Sequence, residues 1–226
     1  MANGRPDRLH RIDPFAPPEG SLTCLIRACV ITANRPFCRI TFGIRAPSTP
    51  PLPSSGPVIL VSNHASFTDP MVLFATANRP IRFLMAREYY ARSSLRWLFR
   101  LAGSIPVSRG HIEVSAIRAM LHVLARGEVL GVFPEGGIEE YRKEEGYRGV
   151  GYLALKTGAP VIPAAITWHS PRPIGLLRSL IQSARATVRY GPPLVFSRVA
   201  GDRREQARAA TDRILQAIRK LQDTEK

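Results

Sequence analysis

The chain has 226 residues, with 32 Lys and Arg against 17 Asp and Glu, which gives a formal net charge of +15 at pH 7. Its hydrophobic content of 45% is that of a globular protein and excludes a disordered polycation. The length supports one domain with a full core, or two small domains. Arginine supplies 28 of the 32 cations, so the charge implies phosphate or carboxylate partners on polyanions or anionic lipid surfaces.

Three cysteines, Cys24, Cys29 and Cys38, lie in the first fifth of the chain. An odd, clustered set is a poor disulfide framework and fits a reducing compartment. No histidine or second cysteine pair stands at ligand spacing, so we expect no metal. Residues 1–20 carry charge and proline instead of an apolar run, and no apolar stretch approaches the ~20 residues of a membrane span. We therefore expect neither a secretion signal nor a membrane crossing.

The first 57 residues are predicted to form a polar arm, an amphipathic helix and a loop. The helix over 21–33 has Ser21 as its N-cap. Its apolar residues recur at three- and four-residue spacing, namely Leu22, Leu25, Ile26, Cys29, Val30 and Ala33. This stripe fits a helix packed on its own core and a helix lying on lipid equally well. Five prolines within residues 46–57 predict a stiff loop that ends this section.

From Val58 onward, short apolar runs alternate with helical patterns, which predicts one domain over 58–226. The predicted strands cover residues 58–62, 81–85, 128–133, 161–166 and 186–190. The predicted helices cover residues 69–78, 93–102, 113–126, 149–158 and 202–222. This alternation predicts an α/β fold with a mostly parallel central sheet flanked by helices. In such sheets ligands usually bind at the carboxyl ends of the strands.

The segment SNHASFTDP, residues 62–70, follows the first predicted strand and opens the next helix. His64 and Asp69 are five residues apart, so a strand-to-helix turn can bring the Asp69 carboxylate to Nδ1 of His64. Such a contact orients the ring and leaves Nε2 available as a base. Alternatively, Asp69 is only the N-cap of its helix and His64 is a loop residue. No G-x-S-x-G segment exists, which disfavours a hydrolase with a serine nucleophile.

Three further segments are candidates for ligand contacts. GSIPVSRG, 103–110, presents Arg109, which could hold a phosphate with two of its guanidinium nitrogens. FPEGG, 133–137, presents Glu135 beside Gly136, where a ligand can approach the backbone closely. In APVIP, 159–163, Pro163 interrupts a buried run, and we expect an edge or an opening there.

The order and separation of these four segments resemble the motifs of the PlsC-type glycerolipid acyltransferases, which include the 1-acylglycerol-3-phosphate acyltransferases. Asn63, His64 and Asp69 match the family's N-H-x-x-x-x-D motif. Residues 103–109 are similar to its second block, FPEG at 133–136 to its third and VIP at 161–163 to its fourth. The resemblance covers roughly residues 56–190.

The resemblance implies acyl transfer from a thioester, either acyl-CoA or acyl carrier protein, to a hydroxyl of a lyso-glycerolipid in phospholipid biosynthesis. His64 would be the general base, oriented by Asp69, and no cofactor is implied. Its implied substrate-binding positions are Asn63, Arg109, Glu135, Gly136 and Pro163.

The third block departs from the family's usual F-P-E-G-T-R, because Gly137 and Ile138 replace the threonine and arginine. Four glutamates follow within residues 139–145. 1-Acylglycerol-3-phosphate is the expected acceptor, but the missing cation also fits a non-phosphatidic lyso-lipid, such as an aminolipid or a glycolipid.

Residues 87–101 combine arginines at four-residue intervals with aromatic side chains, a composition suited to an anionic interface. The arginines are Arg92, Arg96 and Arg100, and the aromatics include Tyr89, Tyr90, Trp97 and Phe99. Residues 172–185 repeat the theme. We therefore expect a peripheral or monotopic protein on the cytoplasmic face of the cell membrane, in contact with anionic lipid. A basic nucleic-acid-binding protein is the alternative from another class, but it leaves His64 and Asp69 unexplained and no recognition motif supports it.

Overall fold

A computed structural model describes residues 21–45, 47, 49, 51–92, 96–108, 114–134, 148–169, 184–197 and 200–223. The helices within these residues are α1 (Ser21–Phe42), α2 (Asp69–Thr76), α3 (Arg87–Arg92), α4 (Arg96–Leu101), α5 (Val114–Ala125), α6 (Arg148–Thr157) and α7 (Arg203–Asp223). The strands are β1 (Val58–Ser62), β2 (Ile81–Ala86), β3 (Ile105–Val107), β4 (Val129–Val132), β5 (Val161–Trp168) and β6 (Ala186–Tyr190).

The six strands form one sheet in the order β3-β2-β4-β1-β5-β6. All neighbouring pairs are parallel except β5 and β6, which are antiparallel. In the register of the central strands, Val61 lies opposite Val132 of β4 and Pro163 of β5. The predicted α/β fold with a mostly parallel sheet is therefore confirmed.

Helices cover both faces of the sheet, which explains why β1 and β4 are continuous apolar runs with every residue buried. On one face, Cys38 and Phe42 of α1 and Leu73 of α2 pack against Leu60 and Ile162. On the other face, α5, α6 and α7 pack against β1 and β5 through Met120, Leu153, Ile214 and neighbouring side chains. The core thus has two halves separated by the sheet.

Helix α1 continues to Phe42, well beyond the predicted end at residue 33. The helix includes Pro36. This proline removes one backbone hydrogen bond, but the helix does not end there. Tertiary contacts compensate, because Asn34 Nδ2 donates to the Met71 carbonyl at 2.8 Å and Arg35 Nη2 donates to the Ala77 carbonyl at 2.8 Å. The boundary predicted at residue 57 stays a prediction, although Leu52 belongs to the same buried cluster as Val58.

Two short elements have no counterpart in the sequence prediction. Helix α3 follows β2 directly, and β3 lies in residues for which no strand is predicted. Strand β3 has three residues and contains Pro106, which lowers its strand signal. Among the described strands β3 is at the edge of the sheet, where a residue without an N–H is tolerated.

The expectation that Pro163 marks a sheet edge or opening is wrong. Strand β5 lies between β1 and β6, and Pro163 is buried. The carbonyl of Pro163 faces β6 and accepts a hydrogen bond of 2.8 Å from the Gly191 N–H. Because the nitrogen and oxygen of one strand residue point to the same side, the missing N–H of Pro163 also falls on the β6 side. No bond between β1 and β5 is lost.

Gly131, in the middle of β4, makes room for an aromatic side chain. A Cβ at this position would overlap the Phe83 ring and approach Ile81 Cγ2 at 2.7 Å. Phe83 stands opposite Gly131 on β2. The glycine therefore lets the Phe83 ring lie across the strand next to the site described below.

Candidate active site

His64 and Asp69 lie together at the turn between β1 and α2. Nδ1 of His64 and Oδ2 of Asp69 are 2.9 Å apart. The N-cap of α2 is Thr68, which makes no side-chain capping bond, so the alternative that Asp69 is merely the N-cap is wrong. Asp69 begins the helix, followed by Pro70 in the first turn, a position where proline is compatible with the helix. The turn therefore brings the two side chains into contact.

Asp69 is completely buried, and its carboxylate accepts hydrogen bonds from four donors. Oδ2 accepts the N–H groups of Ala65 at 2.6 Å and Ser66 at 2.7 Å in addition to His64. Oδ1 accepts Nε1–H of Trp168, at the end of β5, at 3.0 Å. A buried carboxylate needs such donors to offset its loss of water. The four bonds fix the carboxylate in one orientation.

The His64 ring is held from its face by Phe133, the first residue after β4. The two ring centroids are 4.2 Å apart with an interplanar angle of 18°. Phe133 in turn stacks on Phe83 at 5.3 Å and 9°. Because Nδ1 is fixed by Asp69 and the ring plane by Phe133, His64 has little freedom to rotate.

Asn63 is buried between β1 and β5. Its Nδ2 donates to the Ile166 carbonyl at 2.9 Å, and its Oδ1 accepts the Ile166 N–H at 2.8 Å and the Ser62 hydroxyl at 3.3 Å. Oδ1 and one N–H of Nδ2 are thus occupied by the protein itself. Through these contacts Asn63 connects the start of the site loop to β5, which is a structural role. None of them supports the expected substrate-binding role.

The carboxyl ends of the parallel strands meet at one edge of the sheet, as expected, and the site lies there. Asn63 and His64 follow β1, Phe133 and Pro134 follow β4, and Trp168 ends β5. Pro163 is further down β5, opposite Val61, and makes no contact with His64 that the structure records. Arg109, Glu135 and Gly136 lie outside the described residues, so their predicted roles stay predictions.

Phe133 and Trp168 are the two site residues that the sequence analysis missed. Phe133 is the first letter of the FPEG segment, so its place beside the matched block was an available signal. Trp168 lies 99 residues from Asp69, and no local pattern connects them. The predicted strand ended at residue 166, two residues before Trp168.

This arrangement can accept a proton. Asp69 fixes the tautomer with the proton on Nδ1 and stabilises the imidazolium that forms when Nε2 is protonated. Nε2 has no hydrogen-bond partner among the described residues, and the His64 side chain is 17% exposed. A substrate hydroxyl can therefore approach it. Within the described part of the chain, no group of His, Cys, Asp or Glu side chains could hold a metal ion.

Comparison with protein families identifies the class to which this fold and site belong. A family model described as Acyltransferase matches residues 44–167, more than half of the chain, and the protein therefore belongs to the Acyltransferase family. This range includes the β1–α2 turn with His64 and Asp69, as well as Phe133 at the end of β4. This match agrees with the resemblance to acyltransferases that the sequence motifs predicted.

Individual relatives support this assignment. The chain is 30% identical over 142 residues to a 1-acyl-sn-glycerol-3-phosphate acyltransferase of Chlamydomonas reinhardtii, covering 62% of this chain and 41% of that protein. It is 34% identical over 115 residues to the lyso-ornithine lipid O-acyltransferase of Pseudomonas aeruginosa, covering 50% and 44%. The chain thus spans less than half the length of these two relatives. The 1-acyl-sn-glycerol-3-phosphate acyltransferase of Bacillus subtilis is 23% identical over 186 residues, covering 80% and 89%.

A solved structure shares the fold. The PlsC 1-acyl-sn-glycerophosphate acyltransferase of Thermotoga maritima superposes with a TM-score of 0.62 at 19% identity, covering 88% of this chain and 81% of that protein. This similarity extends over the α/β fold as a whole.

Proposed function

We propose that the protein transfers a fatty acyl group from an acyl thioester to a hydroxyl of a lyso-glycerolipid, with 1-acylglycerol-3-phosphate as the acceptor. The observation that carries this proposal is the His64–Asp69 contact at the carboxyl edge of the sheet. It lies within the residues that match the Acyltransferase family. Four relatives named as 1-acyl-sn-glycerol-3-phosphate acyltransferases include algal, plant and bacterial proteins.

In the proposed reaction, the acceptor hydroxyl gives its proton to Nε2 of His64 while its oxygen attacks the thioester carbonyl carbon. The carbon–sulfur bond then breaks, and the departing thiolate takes up the proton from the imidazolium. An ester and a free thiol are the products. No enzyme nucleophile is needed, because a thiolate leaves readily and the acceptor needs only a base. General-base assistance of this kind contributes about 10²–10⁴-fold.

The acceptor head group is proposed to be held by Arg109, Glu135 and Gly136, which occupy the matching positions of the second and third blocks. Arg109 offers a guanidinium fork for a phosphate. We expect Arg109→Ala to raise KM for the acceptor while leaving kcat largely unchanged at saturation. A loss confined to kcat would contradict a role in head-group binding.

A second acceptor class has a specific observation in its favour. Gly137 and Ile138 stand where the family usually has threonine and arginine, and glutamates follow. The Pseudomonas aeruginosa relative is named for a lyso-ornithine lipid, an aminolipid. A zwitterionic or cationic head group would be compatible with these acids.

We further propose that the protein contacts an anionic membrane surface, since the acceptor is a lipid. No helix among the described residues is long and apolar enough to span a bilayer. Instead, α1 exposes Leu22 (71%), Leu25 and Ile26, and α4 exposes Trp97 (58%) beside Arg96 and Arg100. Exposed apolar groups beside arginines are typical of elements that lie in a lipid interface.

An acceptor screen tests the enzymatic proposal. Purified protein is incubated in detergent micelles with acyl-CoA or acyl carrier protein as donor, and products are identified by mass spectrometry. The acceptors are 1-acylglycerol-3-phosphate and lyso-ornithine lipid. We expect acylation of 1-acylglycerol-3-phosphate and its loss by at least about 100-fold in His64→Ala. His122→Ala, on α5 and away from the site, is the matched control.

Acylation of lyso-ornithine lipid alone would replace the first acceptor by the second. Near-normal turnover by His64→Ala would overturn the mechanism, and a wild-type protein inactive with both acceptors and both donors would overturn the proposed function.

A further inference from the structure

A cleft of about 500 Å³ lies between the C-terminal half of α1 and the helix α2, on the face of the sheet that carries both helices. It is lined by Arg35, Pro36, Arg39, Ile44, Arg45 and Ala75. The cleft shares no lining residue with the His64 site. Its volume is large enough for a phosphate group and the glycerol attached to it.

Three arginines line this cleft, and none of the described residues that line it carries a carboxylate. Arg39 and Arg45 are exposed, and neither has a hydrogen-bond or ion-pair partner among the described residues. Arg35 is anchored, because its Nη2 donates to the Ala77 carbonyl at the end of α2. That bond leaves its other N–H groups available.

The C-terminal ends of helices attract cations, which accounts for part of this charge. Arg39 lies in the last turn of α1, and Arg35 reaches the C-cap of α2. Arg45 follows the end of α1 and has no such role. Like charges brought together without a counter-charge repel one another, and an anion between them removes that cost. The fork of arginine matches the oxygens of a phosphate.

The cleft adjoins the apolar stripe of α1, which indicates the source of the phosphate. Leu22, Ile26, Cys29, Ala33, Pro36 and Ile40 follow one another at three- and four-residue spacing, so they share one side of the helix, and all six are exposed. Ile40 is 83% exposed and directly follows Arg39. Arg39 therefore borders this stripe, whereas Arg35 lies on the side of α1 that faces α2. If the stripe lies in the acyl-chain boundary of a bilayer, Arg39 and the cleft that it lines stand at the level of the lipid phosphates.

We infer that the cleft lined by Arg35, Arg39 and Arg45 binds the phosphate group of an anionic membrane phospholipid and sets the depth and rotation of α1 on the bilayer. The inference rests on the membrane contact proposed above for α1. It does not depend on the identity of the acyl acceptor, because the cleft is separate from the catalytic turn.

The test compares two variants of equal net charge. Arg39→Gln/Arg45→Gln removes two guanidinium groups from the cleft. Arg208→Gln/Arg219→Gln removes two exposed arginines from α7, which covers the opposite face of the sheet. Binding is measured by co-sedimentation of the full chain with vesicles of phosphatidylcholine, with and without phosphatidylglycerol, at 0.15 M salt.

We expect wild-type protein to prefer the vesicles with phosphatidylglycerol, and the cleft variant to lose about fivefold in that affinity for each arginine removed. The α7 variant should lose less than about twofold, because charges more than a Debye length of about 8 Å from the surface are screened. Equal losses in both variants, or none in the cleft variant, would overturn the inference. Saturable binding of inorganic phosphate that the cleft variant abolishes, with vesicle binding unchanged, would overturn the lipid assignment.

Activity separates this inference from the proposed function. In detergent micelles the cleft variant should keep turnover within about twofold of wild type, whereas His64→Ala should lose turnover but keep its vesicle binding. A wild-type protein that is inactive but still shows the cleft-dependent lipid preference would contradict the proposed function and support the phosphate site.

Discussion

The turn at residues 62–69 and the helix α1 differ in which groups they bury. The turn buries a charged group with its hydrogen-bond partners, whereas α1 exposes apolar side chains. At the turn, the fully buried carboxylate of Asp69 has four donors. On α1, apolar side chains such as Leu22 and Ile40 face solvent, and Arg39 has no partner among the described residues. The first arrangement is complete within the protein, as the proposed role in catalysis requires of a preorganised group. The second is incomplete and fits a partner outside the chain.

The two regions are physically connected. The ring of Phe42, in the last turn of α1, packs edge-on against Trp168 with centroids 5.5 Å apart. Trp168 donates its indole N–H to Asp69, which holds His64. The helix that carries the exposed stripe is therefore one packed ring away from the buried dyad.

The largest effect is expected from breaking the turn itself. In Asp69→Asn, the amide can no longer fix the Nδ1–H tautomer of His64, and an N–H group can be placed opposite the Ala65 or Ser66 N–H. We expect kcat for acyl transfer to fall by about 10²–10⁴-fold, the whole contribution of a general base, because a misoriented His64 no longer serves as one. Asp212→Asn, exposed on α7, is the control and should keep full activity. An Asp69→Asn protein within threefold of wild type would exclude the orienting role.

The contrast within α1 is tested by truncating two residues on its two sides. Phe42 is fully buried, so Phe42→Ala should lower the free energy of unfolding by about 3–5 kcal/mol. Ile40→Ala should change it by no more than about 0.5 kcal/mol. Denaturant titration measures both. Comparable losses at the two positions would mean that the stripe containing Ile40 is covered by the protein and not available to a membrane.

A smaller effect is expected at the junction of the two regions. Trp168→Phe removes the indole N–H from Asp69 but keeps an aromatic ring against Phe42. Hydrogen bonds to charged groups contribute about 1.5–3 kcal/mol, so we expect kcat to fall by about tenfold or more with KM for the acceptor unchanged. Trp97→Phe, at the exposed tryptophan of α4, should leave kcat unchanged. A rise in KM without a change in kcat would contradict a positioning role for Trp168.

The mildest probe compares two cysteines of α1 without any substitution. Burial raises the pKa of Cys38 to about 12, whereas Cys29 is exposed. Since the thiolate is the reactive form, Cys38 stays protonated at pH 8 and should react with iodoacetamide at least about 100-fold more slowly than Cys29. Peptide mass spectrometry follows both sites. Equal labelling of the folded protein would show that α1 is not docked on α2.

Much of the fold could be predicted from local patterns. The buried strands β1, β4 and β5 are continuous apolar runs, and a parallel sheet follows from their alternation with helices. Strand β3 could not be predicted, because a strand of three residues that includes a proline has almost no recognisable strand pattern. The end of α1 was misplaced because Pro36 normally ends a helix, and only the contacts of Asn34 and Arg35 with the α2 region explain why it continues.

The site divides in the same way. The spacing of His64 and Asp69, together with the resemblance of four motifs, determined the dyad, because a five-residue separation across one turn is a local property. The positions of Phe133 and Trp168 at the site depend on the register of β1 with β4 and β5. This register brings residues that are far apart in sequence to one edge of the sheet. Such register is set by the packing of the whole sheet and leaves no mark in a short segment.

For α1 the sequence determined that the helix is amphipathic, with Leu22, Ile26 and Cys29 on one stripe. Only the tertiary structure decided that this stripe faces outward. The side of α1 opposite the stripe packs against α2 and the sheet. On that side Cys38 and Phe42 are buried in the core, and Asn34 donates a hydrogen bond to the Met71 carbonyl. Because a helix can bury only the face for which a partner surface exists, the charge and apolar stripe of α1 were left on the outside of the protein.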